Sequence, residues 1–404
     1  MALNVKVGLI GLLDMLKFAN LGKVRQQHIE AAPANEITAD YPINNFAKAM
    51  HPDFQKFVVD EIIDHGAADA KSFILKRADG KPAAYFRAGQ YISLKLPIDG
   101  SFVTRPYSIS SSPKWALDGK IAVTVKKNAD GFAAEYLLNN LKVGDEVLGG
   151  GGEGFFYYEK LRDAENVIAL AGGSGITPFL SMAYAIRDGL EDFNLTILFG
   201  SKTEDAILFR KELDEICAAT PKVKVVHVLS DETKEGFETG FLKAELIQKY
   251  APEGKYSVFI CGPEAMYRFL TGEVDKLGLE KKYIRREMLG ATKKVWEQEG
   301  YPQDKKDKVF KLLVKQGPNE YNIDCSANEP VLVAIERAGI KAPSRCRSGE
   351  CGWCRSRLVS GEVFIPAETD GRRWADSNNG NNEIHPCASF ALSDLTLVVP
   401  GEYY

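Results

Sequence analysis

The stretch CRSGECGWC, residues 346–354, places three thiols within nine residues of a 404-residue chain that carries only seven cysteines. Cys346, Cys351 and Cys354 stand in a C-x4-C-x2-C spacing, and Cys387 follows downstream. Such a concentration suits a disulfide staple, a zinc clip, a dithiol redox pair or an iron-sulfur cluster. Zinc is more usually held by two separated C-x2-C pairs, and only one such pair exists here. A thioredoxin-like dithiol belongs at the mouth of a strand-to-helix unit, whereas Cys351 and Cys354 share a loop with a third thiol. Four thiolates at this spacing match the ligand set of a 2Fe-2S cluster. The small residues Ser348, Gly349 and Gly352 let the loop curl so that its amides face the sulfurs. The expected metal ligands are therefore Cys346, Cys351, Cys354 and Cys387.

Around that loop the chain is ordinary globular material, 45% apolar and 26% charged, long enough for two to four domains. A net charge of -4 and the lack of a long basic run give it no electrostatic reason to bind nucleic acid. Cys217, Cys261 and Cys325 are scattered, and an odd cysteine total does not fit the framework of a small secreted protein, so a cytoplasmic setting is expected. Cys325 reads as a small buried apolar residue. His28, His51, His65, His227 and His385 show no metal-ligand spacing.

The first residues, MALNVKVGLIGLLDMLKFANLGKV, are apolar in look, but their longest unbroken run, residues 7–13, is far too short to span a bilayer. At 100° per residue Lys6, Asp14 and Lys17 fall within about 80° of one another, opposite Val5, Leu9, Leu12, Leu13 and Leu16. This predicts an amphipathic helix that packs on the body of the protein or on a second subunit; the alternative is peripheral binding at a membrane surface.

Short β-branched and aromatic runs at 57–63, 72–76, 91–96, 101–109 and 120–127, with one helix at 133–140, predict a small antiparallel β-barrel. From residue 165 the rhythm becomes strand then helix: NVIALA, NLTILFGS, KVKVVHVLS and YSVFICG each precede a helical pattern. That alternation predicts an α/β domain with a parallel sheet. The charged segment ATKKVWEQEGYPQDKKDK reads as a linker. Beyond it come a strand, VFKLLVK, a helix across 330–338, the cysteine loop and a final strand, LTLVV. The expected fold is thus multidomain: an N-terminal extension (1–51), an antiparallel β-barrel (52–158), an α/β parallel-sheet nucleotide domain (159–290), a linker (291–307) and an α+β module (308–404), whose resemblance to ferredoxins implies a ferredoxin-like domain of β-grasp type.

With these residues in view the chain can be placed. CRSGECGWCRSRLVSGEV, preceded by EPVLVAIERAGIKAP and followed by HPCAS and SDLTLVV, resembles a plant-type 2Fe-2S ferredoxin domain over about residues 309–400, apart from a long polar insert at 365–384. RPYSIS resembles the R-x-Y-S flavin motif of the ferredoxin NADP reductase family. The resemblance implies that Tyr107 stacks on the isoalloxazine, Ser108 lies near its reactive N5 edge, and Arg105, next to Pro106, meets the pyrophosphate. GFAAEYL resembles the family's second flavin stretch, so Gly131, Phe132, Ala133 and Ala134 would present amides to phosphate. Ala134 stands where the family commonly has Ser. GGGGEGFF, residues 149–156, is similar to the turn that closes the family's barrel, and FAD is favoured over FMN.

AGGSGITP resembles the nicotinamide motif of the same family. It implies Gly172, Gly173, Gly175, Thr177 and Pro178 as NAD(P)H-binding residues. ICGPEAM would set Cys261, Gly262 and Pro263 beside the nicotinamide, with Cys261 close to the hydride path. Glu287 falls where the family keeps an acidic residue by the flavin. Ser108, Cys261 and Glu287 are the expected catalytic residues. In FGSKTED, Ser201 and Lys202 could attract a 2'-phosphate while Glu204 and Asp205 oppose it; no second basic residue completes a phosphate clamp, so NADH is favoured.

Flavin, nicotinamide and cluster motifs in this order imply an NAD(P)H-dependent reductase. Hydride passes to FAD and single electrons leave through the 2Fe-2S cluster to a one-electron acceptor protein such as an oxygenase, a hybrid-cluster protein or another reductase. Two rivals stand beside this reading. One is a redox-sensing or electron-transfer regulatory subunit of a larger complex, and the other is a zinc-clipped nucleotide-binding protein without redox activity.

Overall fold

The computed structural model describes residues 9–31, 41–128, 131–287, 289–367, 369 and 382–401. The chain divides into two compact units, Met1–Ala47 and Lys48–Tyr404. The first holds α1 (Leu9–Ala31), and α2 (Pro42–Met50) crosses the boundary. The helix predicted at the N-terminus is longer than expected and runs on to Ala31. Leu13, Leu16, Phe18, Leu21, Val24 and Ile29 are exposed and, at 100° per residue, spread over an arc of about 220°. The predicted amphipathic face also rested on Val5, Lys6 and the side chains of Leu9, Leu12, Asp14 and Lys17, which lie outside the described residues.

The second unit begins with six antiparallel strands: β1 (Gln55–Asp64), β2 (Ala70–Arg77), β3 (Tyr91–Ile98), β4 (Ser101–Ser108), β5 (Lys120–Lys126) and, after α3 (Phe132–Asn140), β6 (Glu146–Gly149). Their order is β4-β3-β6-β1-β2-β5. The sheet curls until its outer strands meet, where Ile109 bridges Val123 and the Ser110 amide donates to Ala122 O. Along the first half of β1, Phe57 and Val59 turn inward while Lys56 and Asp60 face water, the period-2 pattern of a half-buried strand. Ala133 and Leu137, four apart on α3, seat that helix on the same core. Pro106 is tolerated because β4 is an outer strand whose amides are not all needed.

Next come β7 (Asn166–Gly172), α4 (Thr177–Arg187), β8 (Asn194–Ser201), α5 (Arg210–Ala219), β9 (Val223–Leu229), β10 (Glu238–Thr239), α6 (Ala244–Tyr250), β11 (Tyr256–Cys261), α7 (Glu264–Asp275) and β12 (Ile284–Arg286). All six strands are parallel, ordered β10-β9-β8-β7-β11-β12. The central β7 is buried almost throughout, because helices cover both faces. Its core is rich in fully buried aromatics, among them Phe179, Phe199 and Phe259, and truncating one to Ala would cost ~3–5 kcal/mol. The sequence reading has four strands here; β10 and β12, of two and three residues, complete the edges.

The last module contains β13 (Val309–Gln316), β14 (Asn319–Ser326), α8 (Val331–Arg337), β15 (Ser356–Ser360), β16 (Val363–Phe364), β17 (Glu383–Ile384), β18 (Phe390–Ala391) and β19 (Leu395–Val398). Five strands form one sheet, β14-β13-β19-β15-β17, with β13 and β19 parallel and α8 packed across it. Most of the polar insert at 365–384 lies outside the described residues.

Residues 291–307 differ from the expected linker. Val295 and Tyr301 are buried against Phe390, with Trp296 and Phe364 beside them, and Tyr301 donates its hydroxyl to Ala327 O at 3.1 Å. Two apolar side chains in a charged segment are enough to fasten it to the ferredoxin-like module.

Candidate active site and cofactor cradles

The three residues expected to be catalytic come from three places in the chain and meet. β3 and β4 pair so that Tyr91 lies opposite Ser108. The Glu287 amide continues the β11–β12 pairing by donating to Ile260 O at 3.1 Å, which carries the Glu287 side chain inward. Ser108 Oγ then lies 2.9 Å from Glu287 Oε2, across 179 positions of sequence, and Cys261 Sγ is 3.9 Å from the same oxygen. Burial pushes the Glu287 carboxyl up to about 8, against the pull of the Ser108 hydroxyl. Burial likewise holds the Cys261 thiol well above its ordinary value. Tyr267 braces the floor by donating to Glu287 O and accepting from the Gly262 amide.

The glycine loop follows β7 and ends at Thr177, the first residue of α4, with Pro178 next. Gly173 has φ +54°, a left-handed conformation. Gly175 is needed for a different reason than the approach of phosphate alone: a Cβ there would lie 2.1 Å from Cys261 O. The two predicted nicotinamide stretches therefore touch backbone to backbone, and Cβ atoms at Gly172 or Gly262 would both strike Met266 Sδ. Thr177 Oγ1 donates to Ser174 O at 2.9 Å, so its hydroxyl braces the loop. At the end of β8, Ser201 Oγ is buried without a partner, a polar atom placed for a ligand. Past this strand end Arg210 and Lys234 both fold back onto the Glu204 carboxylate, which pairs with each of them.

On the barrel, Tyr107 is half-buried beside the core, and burial raises its phenol. Gly131 caps α3 without a side-chain hydrogen bond, and among the described residues the amides at Phe132, Ala133 and Ala134 have no acceptor, which suits an outside one. Arg105 donates to Thr104 O at 2.9 Å and reaches Glu336 of α8 at 3.4 Å. Glu336 in turn accepts from Arg347, in the cysteine loop, at 2.5 Å. Two guanidinium groups, Arg347 buried and Arg105 partly so, thus face one carboxylate. Burial and Arg347 push Arg105 down to about 10, the mark of a positive charge lacking a full counter-charge. The surplus cation and the uncapped helix start fit the diphosphate of FAD.

In the cysteine loop Arg347, Gly349 and Gly352 have φ between 64° and 78°, and this left-handed run turns amides toward sulfur as expected. The Gly349 amide lies 3.3 Å from Cys387 Sγ, the Cys351 amide 3.3 Å from Cys346 Sγ, and Cys354 Sγ 3.3 Å from Cys387 Sγ. Four thiols, with backbone amides aimed at Cys346, Cys351 and Cys387, fit a 2Fe-2S cluster, and Cys351 is the half-exposed one. Cys325 is fully buried, as expected.

The cysteine loop rests against the barrel. Arg345 donates to Glu153 at 2.8 Å and stacks 3.8 Å over the Trp353 ring; Glu153 also accepts from Ser93 at 2.7 Å. Burial raises the Glu153 carboxyl to about 7. A cavity of ≈ 190 Å³ opens between the modules, lined by Tyr91, Arg162, Arg285, Glu287 and Glu350 among others. Sequence reasoning missed Glu153, Glu336, Arg345 and Arg347. Two signals were available: a Glu at a core position of the apolar stretch VLVAIER, and an Arg inside a loop of otherwise small residues.

Comparison with known proteins agrees with this assembly. The chain matches the oxidoreductase FAD-binding domain over residues 63–158, the oxidoreductase NAD-binding domain over 169–271 and the 2Fe-2S iron-sulfur cluster binding domain over 314–392. It is 29% identical to the glycine betaine monooxygenase reductase subunit of Chromohalobacter salexigens, over 74% of this chain and 83% of that one. With the 3-ketosteroid-9-alpha-monooxygenase ferredoxin reductase component of Mycolicibacterium smegmatis it shares 30% identity, over 76% and 86%. Among solved structures, phthalate dioxygenase reductase superposes with a TM-score of 0.61 at 24% identity, covering 86% of this chain and 98% of that one, a likeness of fold. Among the described residues no helix is long and apolar enough to cross a membrane.

Proposed function

The chain belongs to the ferredoxin NADP reductase superfamily, as a flavin and nicotinamide reductase fused to a C-terminal plant-type 2Fe-2S ferredoxin domain, and on that premise we propose that its electron acceptor is an oxygenase component. It is an NAD(P)H oxidoreductase that carries FAD and a 2Fe-2S cluster and delivers electrons to a protein partner. The choice of an oxygenase is supported by the two monooxygenase reductase relatives. When bound, FAD would supply hydride acceptance from the nicotinamide and one-electron release, and a 2Fe-2S cluster would supply a one-electron exit.

The meeting of Ser108, Cys261 and Glu287 carries the residue assignments. In this reading Gly172, Gly173, Thr177 and the start of α4 hold the nucleotide phosphates, while Gly175 locks their loop onto Cys261–Gly262–Pro263. Cys261 borders the nicotinamide as a neutral thiol, which burial keeps protonated. With its carboxyl near 8, Glu287 holds a proton at neutral pH and can share it with Ser108 Oγ beside the flavin ring, where hydride arrival changes the proton demand. Arg105 and the first amides of α3 bind the flavin diphosphate, and Cys346, Cys351, Cys354 and Cys387 hold the irons. NADH is the preferred donor, because Glu204 occupies both nearby cations.

Two finer proposals concern surroundings. Leu16, Phe18 and Leu21, exposed on α1, support a contact with a subunit or a membrane surface, and the thiols of Cys217, Cys261 and Cys325, outside the cluster set, support a cytoplasmic setting. The test of the main reading is anaerobic addition of NADH to the cofactor-loaded chain. Flavin absorbance should bleach and the EPR signal of a reduced 2Fe-2S cluster should follow. A bleached flavin with a cluster that stays oxidised under excess NADH would sink it.

A further inference from the structure

α8 of the ferredoxin-like module packs across β4 of the barrel, with Gly339 placed so that a Cβ would lie 3.9 Å from Ser101 Oγ. In this contact Glu336 has a side chain only 6% exposed, and Arg347 is 2% exposed. One Glu336 oxygen faces Arg347, beside the first cysteine of the loop, and the other faces Arg105, next to the flavin stretch of β4. A single carboxylate is therefore shared by groups that belong to two different cofactor sites. A second charged contact, Glu153 to Arg345, joins the same loop to the barrel's closing turn. Ion pairs in water hold little, but the Glu336 carboxylate is itself buried, with one guanidinium partner buried and the other partly so, and little solvent can replace them.

We propose that Glu336 is a positioning residue: by bridging Arg105 and Arg347 it seats the cysteine loop against the flavin end of the barrel and so governs the passage of electrons between the two cofactor sites. It takes no part in the reduction of flavin by NADH. This role rests on the flow from flavin to cluster argued above. Without the carboxylate nothing ties Arg105 to Arg347 across the module contact, and the loop is free to move away from β4. Distance, to which electron passage is acutely sensitive, is then no longer set.

The test uses the full cofactor-loaded chain and the variants Glu336→Gln and Glu336→Gln with Arg347→Met. The double variant removes both buried charges of the ferredoxin-like module together, so it keeps the fold should the single variant lose it. Flavin bleaching by NADH in stopped flow should stay within about twofold of the parent in both. Cluster bleaching should slow at least about tenfold in both, while iron and acid-labile sulfide contents remain those of the parent. Independently of any turnover, hydrogen exchange at β4 and α8 should rise together. Parental cluster bleaching in the single variant, with β4 still protected, would overturn the role. Recovery of the parental rate in the double variant would overturn it too, since Glu336 would then serve only to neutralise Arg347. Failure of NADH to bleach the cluster in the parent would instead remove the reading on which the role rests.

Discussion

The cysteine loop and the Ser108–Cys261–Glu287 junction are both lined by glycines and both buried, yet they are built in opposite ways. The loop makes its site from one stretch and one nearby residue: its left-handed turns aim its own amides at its own sulfurs. The junction owns nothing by itself. Its hydroxyl comes from the barrel, its thiol and carboxyl from the edge of the nucleotide domain, and the 2.9 Å contact that joins them exists only while those two modules are seated. Damage to the loop should thus remain local, whereas damage to the junction should appear as altered proton and hydride behaviour in an otherwise intact protein.

The largest effect should come from Cys351→Ser, which swaps a soft thiolate for a poor oxygen ligand at the half-exposed position. The cluster's EPR signal should vanish and cytochrome c reduction fall by roughly tenfold or more, with ferricyanide reduction retained; loss of flavin binding as well would show that the loop is not local.

Next, Glu287→Gln should lower the rate of flavin reduction by NADH by roughly 10²-fold, within the usual range for a positioned acid-base group. The same substitution tests stability. A carboxyl raised to about 8 from 4.5 binds its proton more tightly when folded, so its contribution is fully present below the unfolded value and is lost as pH rises through 8. The parent's melting temperature should decline from pH 6 to 9, and Glu287→Gln should flatten that decline; Glu153, raised to about 7, leaves a residual slope. An unchanged slope in the variant would place the titrating group elsewhere.

A smaller change is expected from Glu204→Gln, which releases Arg210 and Lys234. The ratio of kcat/KM for NADPH over NADH should rise severalfold, about 1 kcal/mol; a ratio that falls or stays fixed would put the discriminating contacts elsewhere. Smallest of all, removal of residues 1–41 should leave dye reduction by NADH within about twofold, since the cofactor modules lie in the second compact unit. Loss of flavin from that truncation would tie the extension to the barrel.

Legibility followed the same division. Strands such as β8 could be read residue for residue because the run NLTILFGS is apolar, β-prone and closed by a glycine. Sites carried by one stretch were readable too, since their spacing is the chemistry. β14 was not, because NEYNIDCS is polar on its exposed face and buries little beyond Cys325. Nor was the docking of 291–307: nothing local says that Val295 and Tyr301 will meet Phe390 some ninety positions later. The bridge of Arg105, Glu336 and Arg347 was hidden for the same reason, being a property of three segments in one place.

The docked segment bears on how such a protein can be recombined. Because residues 291–307 are part of the ferredoxin-like module's own core, the boundary for exchanging modules lies before Val295, near Gly290, whose amide donates to Cys346 O. A graft cut at 308 would leave Phe390 uncovered and trade a fitted seam for a sticky one. The heritable unit of electron delivery in this chain is therefore the ferredoxin-like domain together with its leading strap.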